Sequence, residues 1–114
     1  MNYKVEKNKF LLEGKVLEFE SEIDTVLEND GIYILLILEN DMNRTGEFYG
    51  SRNIFGVNAE GEIIWQVEAP TKDPVDLYTG LFEEEGEVIG YAWSGGDCYL
   101  DPKTGKILKK ILVR

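Results

Sequence analysis

A chain of 114 residues, 43% hydrophobic and 30% charged, has the size and composition of one folded domain, which excludes a disordered chain and a miniature core held by disulfides or metals. Its 22 acidic against 12 basic residues give a net charge of -10 and a pI near 4.4, so phosphate backbones and anionic membranes are poor partners and a basic protein is a better one. There is no histidine, and Cys98 is the single cysteine. That removes the commonest general base, the commonest zinc ligand, every His-dependent nucleophile and any internal disulfide. The opening MNYKVEKNKF has no apolar leader, and the longest apolar run, residues 32–38, is far below the roughly 20 residues of a membrane span. A cytoplasmic location is expected.

In chain order, residues 10–12 and 16–23 flank Gly14 and predict an N-terminal hairpin within residues 1–26. In its second arm Leu17, Phe19 and Ile23 alternate with Glu18, Glu20, Glu22 and Asp24, so one face is apolar and the other acidic. Residues 32–38 lack any polar interruption, the pattern of a strand buried on both faces and therefore of a sheet centre. Residues 39–52 (ENDMNRTGEFYGSR) form a long polar loop, a length that often carries function. Asn58 to Gly61 and Asp101 to Gly105 read as tight turns, capped by the Asn or Asp side chain, with glycine taking the positive φ. Residues 69–76 (APTKDPVD), with two prolines, separate two similar stretches.

Those stretches repeat at an offset of about 55 residues. LENDG, an apolar run, IFGVN, a Gly61 turn and IIWQV are answered by FEEEG, VIGYAW, CYLD, a Gly105 turn and ILKKIL. GVNAEGEIIWQV and CYLDPKTGKILKKI resemble the last two strands of a blade in PQQ-type β-propeller proteins, as in small stand-alone bacterial proteins of that blade type. The resemblance implies an all-β, antiparallel meander of two propeller-like blades, 27–68 and 77–114, plus the N-terminal hairpin, in a sandwich or partial barrel. Two blades are too few for a ring of four to eight, so the resemblance implies no central channel, no quinone site and no cofactor. Open sheet edges would remain, through which a homodimer could form. The basic strand KILKKILVR is expected to pair with the acidic 17–24 strand and so close the domain.

The candidate chemistry is sparse. Cys98 has no base in sequence reach and reads as buried structure. Asp41, Asn43, Thr45 and Gly46 match the first positions of a calcium loop, but Arg52 stands where its bidentate Glu should be, so no metal is assigned. Ser94 to Gly96 reads as a turn, and Glu83, Glu84 and Glu85 as a solvated one. Trp65 and Trp93, the latter with Tyr91 and Tyr99 nearby, read first as core between sheets. Glu18, Glu20, Glu22 and Asp24 are either neutralised internally by Lys106, Lys109 and Lys110 or dock a basic partner. The expectation is a non-enzymatic protein-binding module, in its most specific form an acidic immunity-type neutraliser of a basic protein. The alternative is a small-ligand binder using the 39–52 loop, with Tyr49 and Arg52, and the Trp93 turn, with Tyr91 and Asp97.

Overall fold

Three short hairpins set the architecture. Glu13–Gly14, Asp30–Gly31 and Glu85–Gly86 each place two successive residues at positive φ, the type I′ geometry whose twist matches that of the flanking strands. In a computed structural model, which describes residues 3–38 and 49–112, these and wider turns join eleven strands into three antiparallel sheets with no helix. The N-terminal sheet holds β1 (Tyr3–Glu6), β2 (Lys9–Leu12) and β3 (Lys15–Glu18). The middle sheet holds β4 (Ile23–Asn29), β5 (Ile32–Ile37), β6 (Ile54–Val57) and β7 (Ile63–Gln66). The C-terminal sheet holds β8 (Tyr78–Glu84), β9 (Glu87–Ala92), β10 (Gly96–Leu100) and β11 (Ile107–Leu112). Every sheet is a simple meander, with neighbours in sequence paired in space. The chain is thus the all-β, antiparallel protein expected.

Side chains of β5 point alternately to the two faces of the middle sheet. Ile34 and Leu36 enter a core with Trp65, Val67, Tyr78, Leu81, Val88, Cys98 and Leu100, between the middle and C-terminal sheets. Tyr33, Leu35 and Ile37 enter a second core with Phe10, Leu12, Phe19, Phe55 and Val57, between the N-terminal and middle sheets. The three sheets therefore stack face to face, with the uninterrupted apolar strand at the centre.

Polar bolts hold the middle and C-terminal sheets in register. The buried Asn53 amide donates to Ile37 O at 3.0 Å and Tyr78 O at 2.8 Å, while its oxygen accepts Tyr78 N at 3.0 Å. The Trp65 indole donates to Pro102 O at 2.8 Å, and its ring lies against Gly56 and Gly105, where a Cβ would collide with it. Asp76, also buried, accepts from Thr71 Oγ1, Ser94 N and Ser94 Oγ. These bonds satisfy groups that would cost about 1–3 kcal/mol each if buried alone.

Three expectations are corrected. The N-terminal hairpin, β2 and β3, gains a third strand, β1, whose Tyr3–Lys4–Val5–Glu6 alternation is only four residues long and whose Tyr3 ring packs against Phe10 and Tyr33. The 16–23 arm is broken: β3 ends at Glu18, Phe19 turns into the core, and β4 begins at Ile23. Phe19 N and Ile23 N donate to Asn8 O and Lys7 O, clasping the β1–β2 turn instead of extending the strand. Finally, β11 pairs with β10 and not with the acidic segment, because the middle sheet stands between them. The sheets form no closed barrel among the described residues.

Candidate functional site

The N-terminal and C-terminal sheets each have one face outside the stack, and the two faces differ in chemistry. Lys4, Glu6, Lys9 and Glu18 dominate the N-terminal one, where Lys9 stands opposite Glu18 and Lys4 pairs with Glu6 at 3.7 Å. On the C-terminal sheet the register aligns Phe82, Ile89, Tyr99 and Lys109 in one cross-strand row, and Tyr91, Asp97 and Ile111 in the next. Because Leu81, Val88, Cys98 and Leu100 point inward, these rows point outward. Phe82 is 40% and Ile111 45% exposed, while Ile89, between Phe82 and Tyr99, is fully covered by its own sheet. Among the described residues no strand packs against this face.

Its charge is concentrated at the rim. Burial pushes the Tyr99 phenol above its ordinary pKa, and the carboxylates of Glu84, Glu87, Asp97 and Glu85 push it further. Lys109 offsets part of that field, with its ammonium 4.4 Å from the Tyr99 ring centre, a geometry in which the ring's negative face attracts the cation. An aromatic and aliphatic centre with an acidic rim results.

The sequence-assigned residues divide among several places. Trp93, Tyr91 and Asp97 share this sheet, with Trp93 69% exposed at the end of β9. Tyr49 belongs instead to the N-terminal interface: its ring lies 5.0 Å from that of Phe55, and its hydroxyl accepts Glu20 N at 2.9 Å. Arg52 lies at the edge of the middle sheet, donating to Val67 O and Gln66 O. The five proposed ligand residues therefore do not form one site. Asp41, Asn43, Thr45 and Gly46, with the rest of 39–48, lie outside the described residues, among which no group of acidic residues, cysteine and histidine is arranged to hold a metal. Glu18, Glu20, Glu22 and Asp24 do not share a strand face, since they fall on β3, the bend after it and β4; Asp24 accepts the Thr25 hydroxyl.

Cys98 is buried as expected, and burial raises its thiol pKa despite hydrogen bonding to Tyr78, which favours the thiolate. That is an unreactive environment. Sequence reasoning missed the rim. Glu84, Glu87 and Asp97 meet only through the β8–β9–β10 register, and the one signal available was that 82, 89 and 99 would share a row if the hairpins paired without a slip.

Face-to-face stacks of antiparallel meanders with one outward apolar face define the class of fold. The chain belongs to the family described as a domain of unknown function, DUF7957, whose model matches residues 1–112. Among solved structures it is similar to the computationally designed Ika8 protein, with 15% identity and a TM-score of 0.57 over 98% of this chain and 36% of that one. That likeness is one of fold alone, and the chain spans about a third of the designed protein's length. No curated protein matches the chain. No helix among the described residues is long and apolar enough to cross a membrane.

Proposed function

We propose that this chain is a non-enzymatic protein-binding module that receives a basic partner on the outward face of its C-terminal sheet. One observation carries the reading. The cross-strand pair Phe82–Ile89 sits two residues from its hairpin turn just as Leu27–Ile34 does in the middle sheet, and there Leu27 and Ile34 join the core against the C-terminal sheet. The same position in the C-terminal sheet has no second sheet over it among the described residues, and Phe82 there is 40% exposed although Ile89 is buried. Burying such a face is worth roughly 25 cal/mol per Å² of apolar area, and the carboxylate rim would select a cationic partner and speed its approach. An immunity-type neutraliser of a basic protein is the specific form that the acidity suits, and the propeller-blade reading of the repeat remains our proposal for its ancestry.

The outward face of a sheet suits a protein better than a small molecule, whose sites are concave. A small ligand stacked on Trp93 beside Tyr91 and Asp97 is the second reading, favoured by their sharing one sheet.

The test uses two baits side by side, wild type and the Phe82→Asp/Ile111→Asp variant, in native lysate at low and at high salt. The expected result is a stoichiometric basic protein held by wild type, weakened by salt and absent from the variant, although the variant is more acidic. Identical proteins on both baits would refute the assignment of the face. A wild type that dimerises in sedimentation, with the variant monomeric, would assign the face to a second copy.

A further inference from the structure

On a chain of net charge -10, cations collect along one seam. Two adjoining clefts, of about 560 and 660 Å³, follow the line where residues 66–72 leave the middle sheet and pass the start of β11. Arg52, Lys72, Lys106, Lys109 and Lys110 line them, and Glu68 is the single carboxylate in either lining. Lys4–Glu6 is the one ion pair seen among the described residues, so none of these five cations is seen in an ion pair there. Arg52 is fixed in place by its bonds to Val67 O at 2.8 Å and Gln66 O at 3.2 Å, and both are neutral acceptors. Lysines on an edge strand alone would be an ordinary guard against aggregation. Arg52 and Lys72 come from other segments and converge on the same groove, which a guard does not require.

The groove borders an edge. β11 is the end strand of its sheet and pairs with β10 alone. The chain itself shows what that edge accepts: the Glu68 carboxylate takes the Ile107 N–H at 2.8 Å, and Glu68 N donates to Gly105 O at 3.0 Å. A single acidic residue thus already lies against the start of β11, held by one main-chain bond and by its carboxylate on an edge N–H, and it stops there as the chain turns away through Ala69 and Pro70.

We propose that this groove binds an extended acidic polypeptide segment, which continues the Glu68 contact by adding to the edge of β11, with Arg52, Lys72, Lys106 and Lys110 pairing its carboxylates. Addition to a sheet edge takes affinity from main-chain bonds and specificity from side chains. Nucleic acid could use the cations but not the edge, and its denser charge meets the chain's overall negative field at greater cost. This surface adjoins the outward face of the same sheet at Lys109, and its partner carries the opposite charge.

Fluorescence anisotropy with a labelled short peptide alternating Glu and Val, at low salt, tests the proposal on the full chain. Binding should weaken about tenfold in the Lys72→Glu/Lys110→Glu variant, whose substitutions are exposed and whose fold circular dichroism can verify, and it should fall with added salt. A peptide alternating Lys and Val should not bind, and amide exchange within β11 should slow when the acidic peptide is bound. The proposal is overturned if the acidic peptide fails to bind, if the variant binds it equally, if β11 amides exchange unchanged in the complex, or if short single-stranded DNA binds as tightly.

Discussion

In the middle sheet, Leu27 and Ile34 lie under the C-terminal sheet; in the C-terminal sheet, Phe82 and Ile89 occupy the same register and face out. The strands, the type I′ turn and the hairpin pairing are alike in the two. What differs is the surroundings. The middle sheet keeps its carboxylates off the contact, whereas Glu84, Glu85, Glu87 and Asp97 surround the outward face and raise the Tyr99 pKa. One register motif thus serves as core where a sheet follows it and as a charged-rim surface where none does. Binary pattern fixes where apolar side chains point, and the cover is a separate fact.

The two tryptophans offer the largest way to break that comparison. Trp65, bolted between Gly56 and Gly105 with its indole on Pro102 O, should cost about 3–5 kcal/mol on Trp65→Ala in urea unfolding. Trp93→Ala should stay within about 0.5 kcal/mol, as for an exposed residue outside any core. Equal costs would mean that Trp93 is structural and the outward face part of a core. Next comes Asn53→Ala, which strands Tyr78 N and two carbonyls at the seam and should lower the unfolding free energy by about 2 kcal/mol.

Alkaline pH sharpens the same contrast. Burial raises the pKa values of Cys98, Tyr78 and Tyr33 in the fold, so the unfolded chain gives up these protons first. Their contribution to stability is full below about pH 8.5, the ordinary thiol value, and is lost as pH rises through and beyond about 10, the ordinary phenol value. Urea midpoints should therefore fall above that range in wild type, and Cys98→Ser should remove the earliest part of the fall. The smallest effect belongs to the acidic N-terminal residues: Glu18→Lys, Glu20→Lys and Asp24→Lys together should move stability by under about 0.5 kcal/mol, because they share no ladder and stand in solvent.

Much of this fold was legible in the sequence. Residues 32–38 announced a strand covered on both sides, and Gly61 and Gly105 sit at positive φ in the turns where they were expected. Trp65 and Cys98 were assigned to the core and lie in it, whereas Trp93, read first as core as well, stands exposed past the end of β9. Less legible was whatever depends on contacts far apart in the chain. Alternation runs without interruption from Leu17 to Phe19, and only the clasp on the Lys7–Asn8 turn diverts it. β1 alternates Tyr3 and Val5 with Lys4 and Glu6, but over four residues, and the partners that its Tyr3 ring meets, Phe10 and Tyr33, lie 7 or more positions away. The acidic rim was hidden for another reason: Glu84 and Glu85 looked like turn residues, and only the β9–β10 register brings Asp97 beside Tyr91. The cationic seam joins residues as distant as Arg52 and Lys110, beyond the reach of any local motif.

The outward face is tested most directly by hydroxyl-radical footprinting of the protein alone and in complex with the basic partner it captures. Phe82, Tyr91, Trp93 and Ile111 should become protected, while the exposed Val16, Ile63 and Ile64 on the other sheets keep their reactivity. Protection at Val16, Ile63 or Ile64, with Phe82 and Ile111 unchanged, would contradict the account and place the partner elsewhere.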